Sequence, residues 1–169
     1  MQVHDLGVVQ EDNLESVLLP KVKGCVFHVT THEGYEGILK DGFIGSNRNG
    51  EYPVTCSQSD VSYFRKKGCV SVVDLRDISG EKLESGLRKY YFPNIFRSNK
   101  SVFLILKSEC YPEIIPSSIS KEDEGLAAMI VVEFEAGIKG SIPLNRVEGA
   151  IFVEVAVKPP QFIDALPHM

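Results

Sequence analysis

The chain has 169 residues, 43% of them hydrophobic, and a formal net charge of −5. That is enough apolar material for one continuous core in a single domain, residues 1–169, and the acidic balance argues against broad non-specific binding to phosphate backbones. No apolar run approaches the roughly 20 residues needed to cross a bilayer, and the start Met1-Gln2-Val3-His4 lacks the basic and apolar stretches of a signal peptide, so a cytoplasmic protein with no membrane partner is expected.

In chain order, residues 1–23 read as an N-terminal helical extension. Leu14, Val17 and Leu18 form one apolar side of a helix over Asp12 to Leu19, and Pro20 ends it. Cys25-Val26-Phe27 then opens a buried strand whose exit carries His28, Val29, Thr30 and Thr31. A helix over Glu33 to Lys40 follows, with Gly42 placed for a left-handed cap. The run Gly45 to Gly50 is turn chemistry. Glu51 to Ser57 predicts a short strand with Pro53 near its start, Ser57 to Lys67 a helix stopped by Gly68, and Cys69 to Leu75 a β-branched strand.

Lys82, Arg88, Lys89, Arg97 and Lys100, set against Glu84, give the segment Lys82 to Lys100 a charge of +4, interleaved with Tyr90, Tyr91, Phe92 and Phe96. Such a mixture suits stacking on bases and contact with phosphate, so Arg88, Lys89, Arg97 and Lys100 are candidate contacts to a nucleic acid. An ordinary loop whose aromatics pack on the core and whose charges stay solvated accounts for them slightly better. Ser101 to Leu106 is a further strand, and Tyr111 to Gly125 a Pro- and Ser-rich excursion. Ala127 to Glu135 predicts a buried strand with Glu133 and Glu135 two apart, hence on one face. Gly137 and Gly140 bracket a turn, Asn145 to Gly149 is another, and Ala150 to Val157 is the final strand. The cysteines Cys25, Cys56, Cys69 and Cys110 are widely spaced with no Cys-x-x-Cys pair, as suits reduced thiols rather than zinc ligands.

Two of these stretches carry a resemblance. His28-Val29-Thr30 followed by Gly37-Ile38-Leu39 and Gly42 is similar to the first motif of the ADP-ribosyltransferase superfamily, in the His-Tyr-Glu branch that holds the poly(ADP-ribose) polymerases and, more loosely, DarT-type toxins. Tyr52 and Tyr63, eleven apart with serines between them, resemble the two tyrosines of that branch, whose faces sandwich a pyridinium ring. Val29 departs from a common Gly, and Asp60 stands where the family's carboxamide-binding Ser is expected, with Ser59 and Ser62 as neighbours.

The resemblance covers roughly Val26 to Leu75 and Ala127 to Val157. It implies an α+β fold of two facing, mostly antiparallel sheets with short helices around an NAD cleft. It further implies His28, Tyr52 and either Glu133 or Glu135 as catalytic residues, and His28, Val29, Thr30, Tyr52, Ser59, Ser62 and Tyr63 as contacts to NAD, a co-substrate. Of the two acids, the offset to Ile142-Pro143-Leu144 prefers Glu133 by comparison with the polymerases and Glu135 by comparison with DarT. The implied activity is transfer of ADP-ribose to a nucleic acid or protein with release of nicotinamide, as in a toxin or effector, without a metal. A catalytically silent nucleotide- or partner-binding member, or an RNA 2′-phosphotransferase, would share the fold.

Overall fold

The computed structural model describes residues 1–53, 61–78, 80–83, 99–122, 130 and 134–156. Nine strands and three α-helices are numbered here in chain order: β1 Gln2–Gln10, α1 Leu14–Val22, β2 Val26–Thr31, α2 His32–Asp41, β3 Phe43–Ile44, α3 Tyr63–Lys66, β4 Cys69–Asp74, β5 Lys100–Leu106, β6 Ile114–Pro116, β7 Glu135–Lys139, β8 Ile142–Pro143 and β9 Val147–Ala156. The fold is α+β, with a mostly antiparallel mixed sheet and short helices; where two facing sheets were expected, the described residues form one large sheet and a two-stranded ribbon. Seven strands bond into one sheet in the order β1-β9-β5-β2-β4-β7-β6, and β3 and β8 make a separate two-stranded ribbon. Every pairing is antiparallel except β1 with β9. No described helix is long and apolar enough to cross a membrane.

Period-two alternation gives the large sheet two apolar faces. Phe27, Val73, Phe103, Ile151 and Val153 share one, where they meet Leu14, Leu18 and Val22 of α1. These three recur every four residues, so a single stripe of the helix faces the sheet. Val26, Val70, Val72, Val102, Leu104 and Ala150 share the other, against Tyr35 of α2 and Ile44 and Ile142 of the ribbon. Burying each such side chain is worth roughly 1.5–3 kcal/mol.

Several boundaries differ from the sequence-based expectation. Pro20 does not end α1, which runs on to Val22, because burial of Val22 outweighs the lost backbone bond. Residues 2–10 are a strand rather than part of a helical extension. Gly7 there has φ +62, the register shifts between Asp5 and Val8, and Val9 is the strand's one buried residue, so no alternation survives to be read. Most of the strand predicted over Ala127 to Glu135, residues 127–129 and 131–133, lies outside the described residues; β7 starts at Glu135, and Gly137, predicted to open a turn, lies inside it opposite Ser71 and Ile115. The excursion after Tyr111 contributes β6 to the sheet edge. Glu51–Pro53 is not a strand among the described residues. The described part of the helix predicted over Ser57 to Lys67 is the single turn α3.

The ladder inside the large sheet is uneven. β2 pairs with β5 from Phe27 to Thr31, and β4 pairs with β7 over five positions, yet β2 and β4 are joined only at Val26↔Asp74 and Phe27↔Val73. The sheet is therefore two half-sheets sharing a short seam. Beyond Phe27 the edge of β2 that faces β4 has no ladder partner among the described residues.

Candidate functional site

His28 is the first residue past the last bonded pair of the seam. Its Nδ1 lies 2.9 Å from the carbonyl oxygen of Ser71, in β4. A carbonyl only accepts, so Nδ1 carries the proton and donates, which leaves Nε2 as the acceptor of the neutral ring. Burial holds the imidazole pKa below its ordinary value, and the Ser71 carbonyl opposes that only in part. The residue as a whole is partly buried.

Ser71 extends the connection. Its hydroxyl is 3.2 Å from the hydroxyl of Ser62, which donates at 3.0 Å to Oε1 of Glu135. Ser62 stands at the N-cap position of α3 but makes no capping bond; its hydroxyl is directed across β4 to β7 instead. Phe64, two residues on, is fully buried with its ring against Gly137, which pins α3 to the sheet and Ser62 above Glu135. The two bonds meet at Ser71 from different sides: His28 reaches its main-chain carbonyl and shares a sheet face with its ladder partner Leu104, whereas the Ser62–Glu135 link is made by the Ser71 hydroxyl on the face of Val73, the ladder partner of Glu135.

The other candidates are distributed as follows. Tyr63 is buried, its ring edge-on to Phe64 at 5.2 Å. Val29 pairs with Phe103 and packs against the α1 side of the core. Thr30 is buried with Oγ1 beside Gly34, while Thr31 caps α2 by accepting from Gly34 N at 3.1 Å. Tyr52 is anchored elsewhere: its hydroxyl donates to Asp41 at the end of α2 at 3.0 Å, and its backbone exchanges two hydrogen bonds with the Asn47 side chain. Lys100 is ion-paired with Glu154 at 3.2 Å. Ser59, Glu133, Arg88, Lys89 and Arg97 lie outside the described residues. Among the described residues, no three His, Cys, Asp or Glu side chains converge as metal ligands.

Compared with protein families, curated proteins and solved structures, the chain returns no match. The geometry of the seam therefore carries the functional reading. His28, Ser62 and Glu135 stand out in the sequence, whereas Ser71, whose carbonyl meets His28 and whose hydroxyl meets Ser62, does not. The available signal was a lone hydroxyl in the middle of the apolar run Cys69-Val70-Ser71-Val72-Val73.

Proposed function

We propose that the chain is an NAD-dependent ADP-ribosyltransferase whose reacting groups are His28 and Glu135 at the seam. The observation that supports this reading is that both groups meet one residue of β4: His28 bonds the Ser71 main-chain carbonyl, and Glu135 is reached through Ser62 from the Ser71 hydroxyl. In the proposed reaction Nε2 of the neutral His28 accepts a hydrogen bond from a ribose hydroxyl. The unladdered edge of β2 beyond Phe27 offers backbone groups to a carboxamide, with Val29 supplying them.

Glu135 faces the ribose that bears nicotinamide. Breaking the bond between its anomeric carbon and the pyridinium nitrogen leaves positive charge on the sugar, and a carboxylate stabilises that charge as it develops. Ser62 holds Glu135 in one rotamer, so less reorganisation accompanies the step. Nicotinamide departs with the bonding pair. An acceptor hydroxyl or amine then bonds to the anomeric carbon and loses its proton. The acceptor is a macromolecule.

Tyr52 gives a specific reason to keep a second reading, a catalytically silent nucleotide-binding protein, because its hydroxyl is bonded to Asp41. Incubation with NAD, followed by chromatography of released nicotinamide, separates the two. Release that falls about 100-fold or more in Glu135→Gln supports transfer. Calorimetric binding of NAD without release identifies the silent protein, and neither binding nor release overturns both readings.

A further inference from the structure

Away from the seam, on the same face of β4 and β7, the structure holds a hollow of ≈ 280 Å³ whose lining includes Tyr63, Ile115, Ile119, Lys67 and Lys139. Its walls are an aromatic ring and aliphatic side chains, and its volume stands near the lower end of small-molecule sites, about 300 Å³. Two ammonium groups on an apolar hollow suit a ligand with one flat apolar part and one anionic part. Lys67 Nζ is 5.8 Å from the centre of the Tyr63 ring, and Lys139 Nζ donates to the Lys67 carbonyl.

A second observation concerns the charges around it. A Cβ at Gly68 would lie 3.5 Å from Arg48 Nη1 and 3.6 Å from Lys139 Nζ, so these two cationic groups stand no more than about 7 Å apart. Arg65 approaches the same loop: its Nε donates to Asn47 O at 2.7 Å, and its Nη2 is 3.7 Å from the Cβ position of Gly50. Arg65 Nη1 is buried and makes no hydrogen bond, although a buried donor without a partner is costly. The ion pairs recorded among the described residues join Arg76 to Asp74, Lys100 to Glu154 and Arg146 to Glu113. Arg48, Arg65 and Lys139 take part in none of them, and Glu51, the neighbouring acid, is approached by Asn49 at 3.5 Å. In a chain of net charge −5, cations gathered with no acid paired to them among the described residues repel one another, and an anion relieves that repulsion.

We propose that this hollow and its cations form a nucleotide site, with the base of a nucleoside monophosphate against Tyr63, Ile115 and Ile119 and its phosphate held by Arg48 and Lys139. A guanidinium and an ammonium around one phosphate give charge-assisted hydrogen bonds, the strong kind, and the apolar lining shelters a base whatever its identity; Tyr63, itself buried, closes the hollow rather than offering a face to stack on. The site is separate from His28 and Glu135 and stands whether or not the seam transfers ADP-ribose.

The test is isothermal titration calorimetry of the full chain with adenosine 5′-monophosphate, adenosine and inorganic phosphate. Arg48 and Lys139 are exposed, so the double variant Arg48→Ala/Lys139→Ala is expected to fold, which circular dichroism checks. The expected result is binding of the monophosphate, weaker binding of adenosine and of phosphate alone, and a loss of about tenfold or more in the double variant. Ile119→Trp, which narrows the hollow, should weaken the monophosphate more than inorganic phosphate. His28→Ala should leave monophosphate affinity within about twofold. The proposal is overturned by no binding of the monophosphate, by unchanged affinity in the double variant, by inorganic phosphate binding as tightly as the monophosphate, or by a loss that follows His28→Ala instead.

Discussion

At Gly137 the sheet has room for a hydrogen and nothing larger. A Cβ there would lie 2.2 Å from Phe64 Cδ1, and Phe64 is fully buried, so its ring has no solvent to swing into. A glycine inside a strand weakens the strand but lets another group approach closely, and here that group is the side chain locking α3 onto β7. Gly137→Ala must move Phe64 or the strand, and overpacking of this kind costs about 1–3 kcal/mol. Urea unfolding of the variant should show that loss, and pairing it with Phe64→Leu should restore part of it. A variant as stable as the parent would mean that α3 is not held by this contact. Displacing Phe64 also displaces Ser62, two residues before it, so nicotinamide release should fall further than the stability change explains.

At the scale of elements, α1 carries a visible local cost. Pro20 lies within the helix and has no N–H to offer Ser16, a defect worth up to about 3 kcal/mol in a helix interior. Proline also stiffens the unfolded chain, an offset of roughly 0.4–1 kcal/mol. Because Pro20 is exposed, Pro20→Ala should touch no packing and should stabilise the protein by about 1–2 kcal/mol, raising the thermal midpoint by several degrees; an unchanged or lower midpoint would show that the proline fits without cost. The same helix marks where sequence is a good guide. α2 could be read almost to the residue, because its cap Gly42 at φ 79 and its apolar spacing are local properties. β7 could not, because Gly137 looks like a turn until Phe64 is known to lie against it. β1 escaped notice because the irregularity around Gly7 erased its pattern. Of the candidate site, the residue types were legible in His28, Ser62 and Glu135, whereas Ser71 and the anchoring of Tyr52 by Asp41 depend on contacts distant in sequence.

At the scale of the whole molecule, the seam is the shortest ladder of the large sheet among the described residues, and two titrating groups flank it. Asp74 pairs with Val26 in the ladder. Burial pushes its carboxyl pKa up, but hydrogen bonds from Arg76, at 2.9 and 2.7 Å from the side chain, outweigh that and hold it below the ordinary value. The stability Asp74 contributes is therefore present above about pH 3.9 and lost as pH falls through its lower folded value. His28 acts in a different window. Its folded pKa is lowered by burial, so below about pH 6.5 the unfolded chain takes up a proton that the folded ring resists, and folding weakens as pH drops. The slope for one such group reaches at most about 1.4 kcal/mol per pH unit. Urea unfolding between pH 5 and pH 8 should thus show stability falling below about pH 6.5, and the fall should be shallower in His28→Gln, which keeps a donor for the Ser71 carbonyl but cannot titrate. Equal slopes in the two proteins would place the titration elsewhere. Since Nε2 accepts only while the ring is neutral, NAD binding should stay flat from pH 8 to about pH 6.5 and weaken only in more acid solution, through the lowered folded pKa.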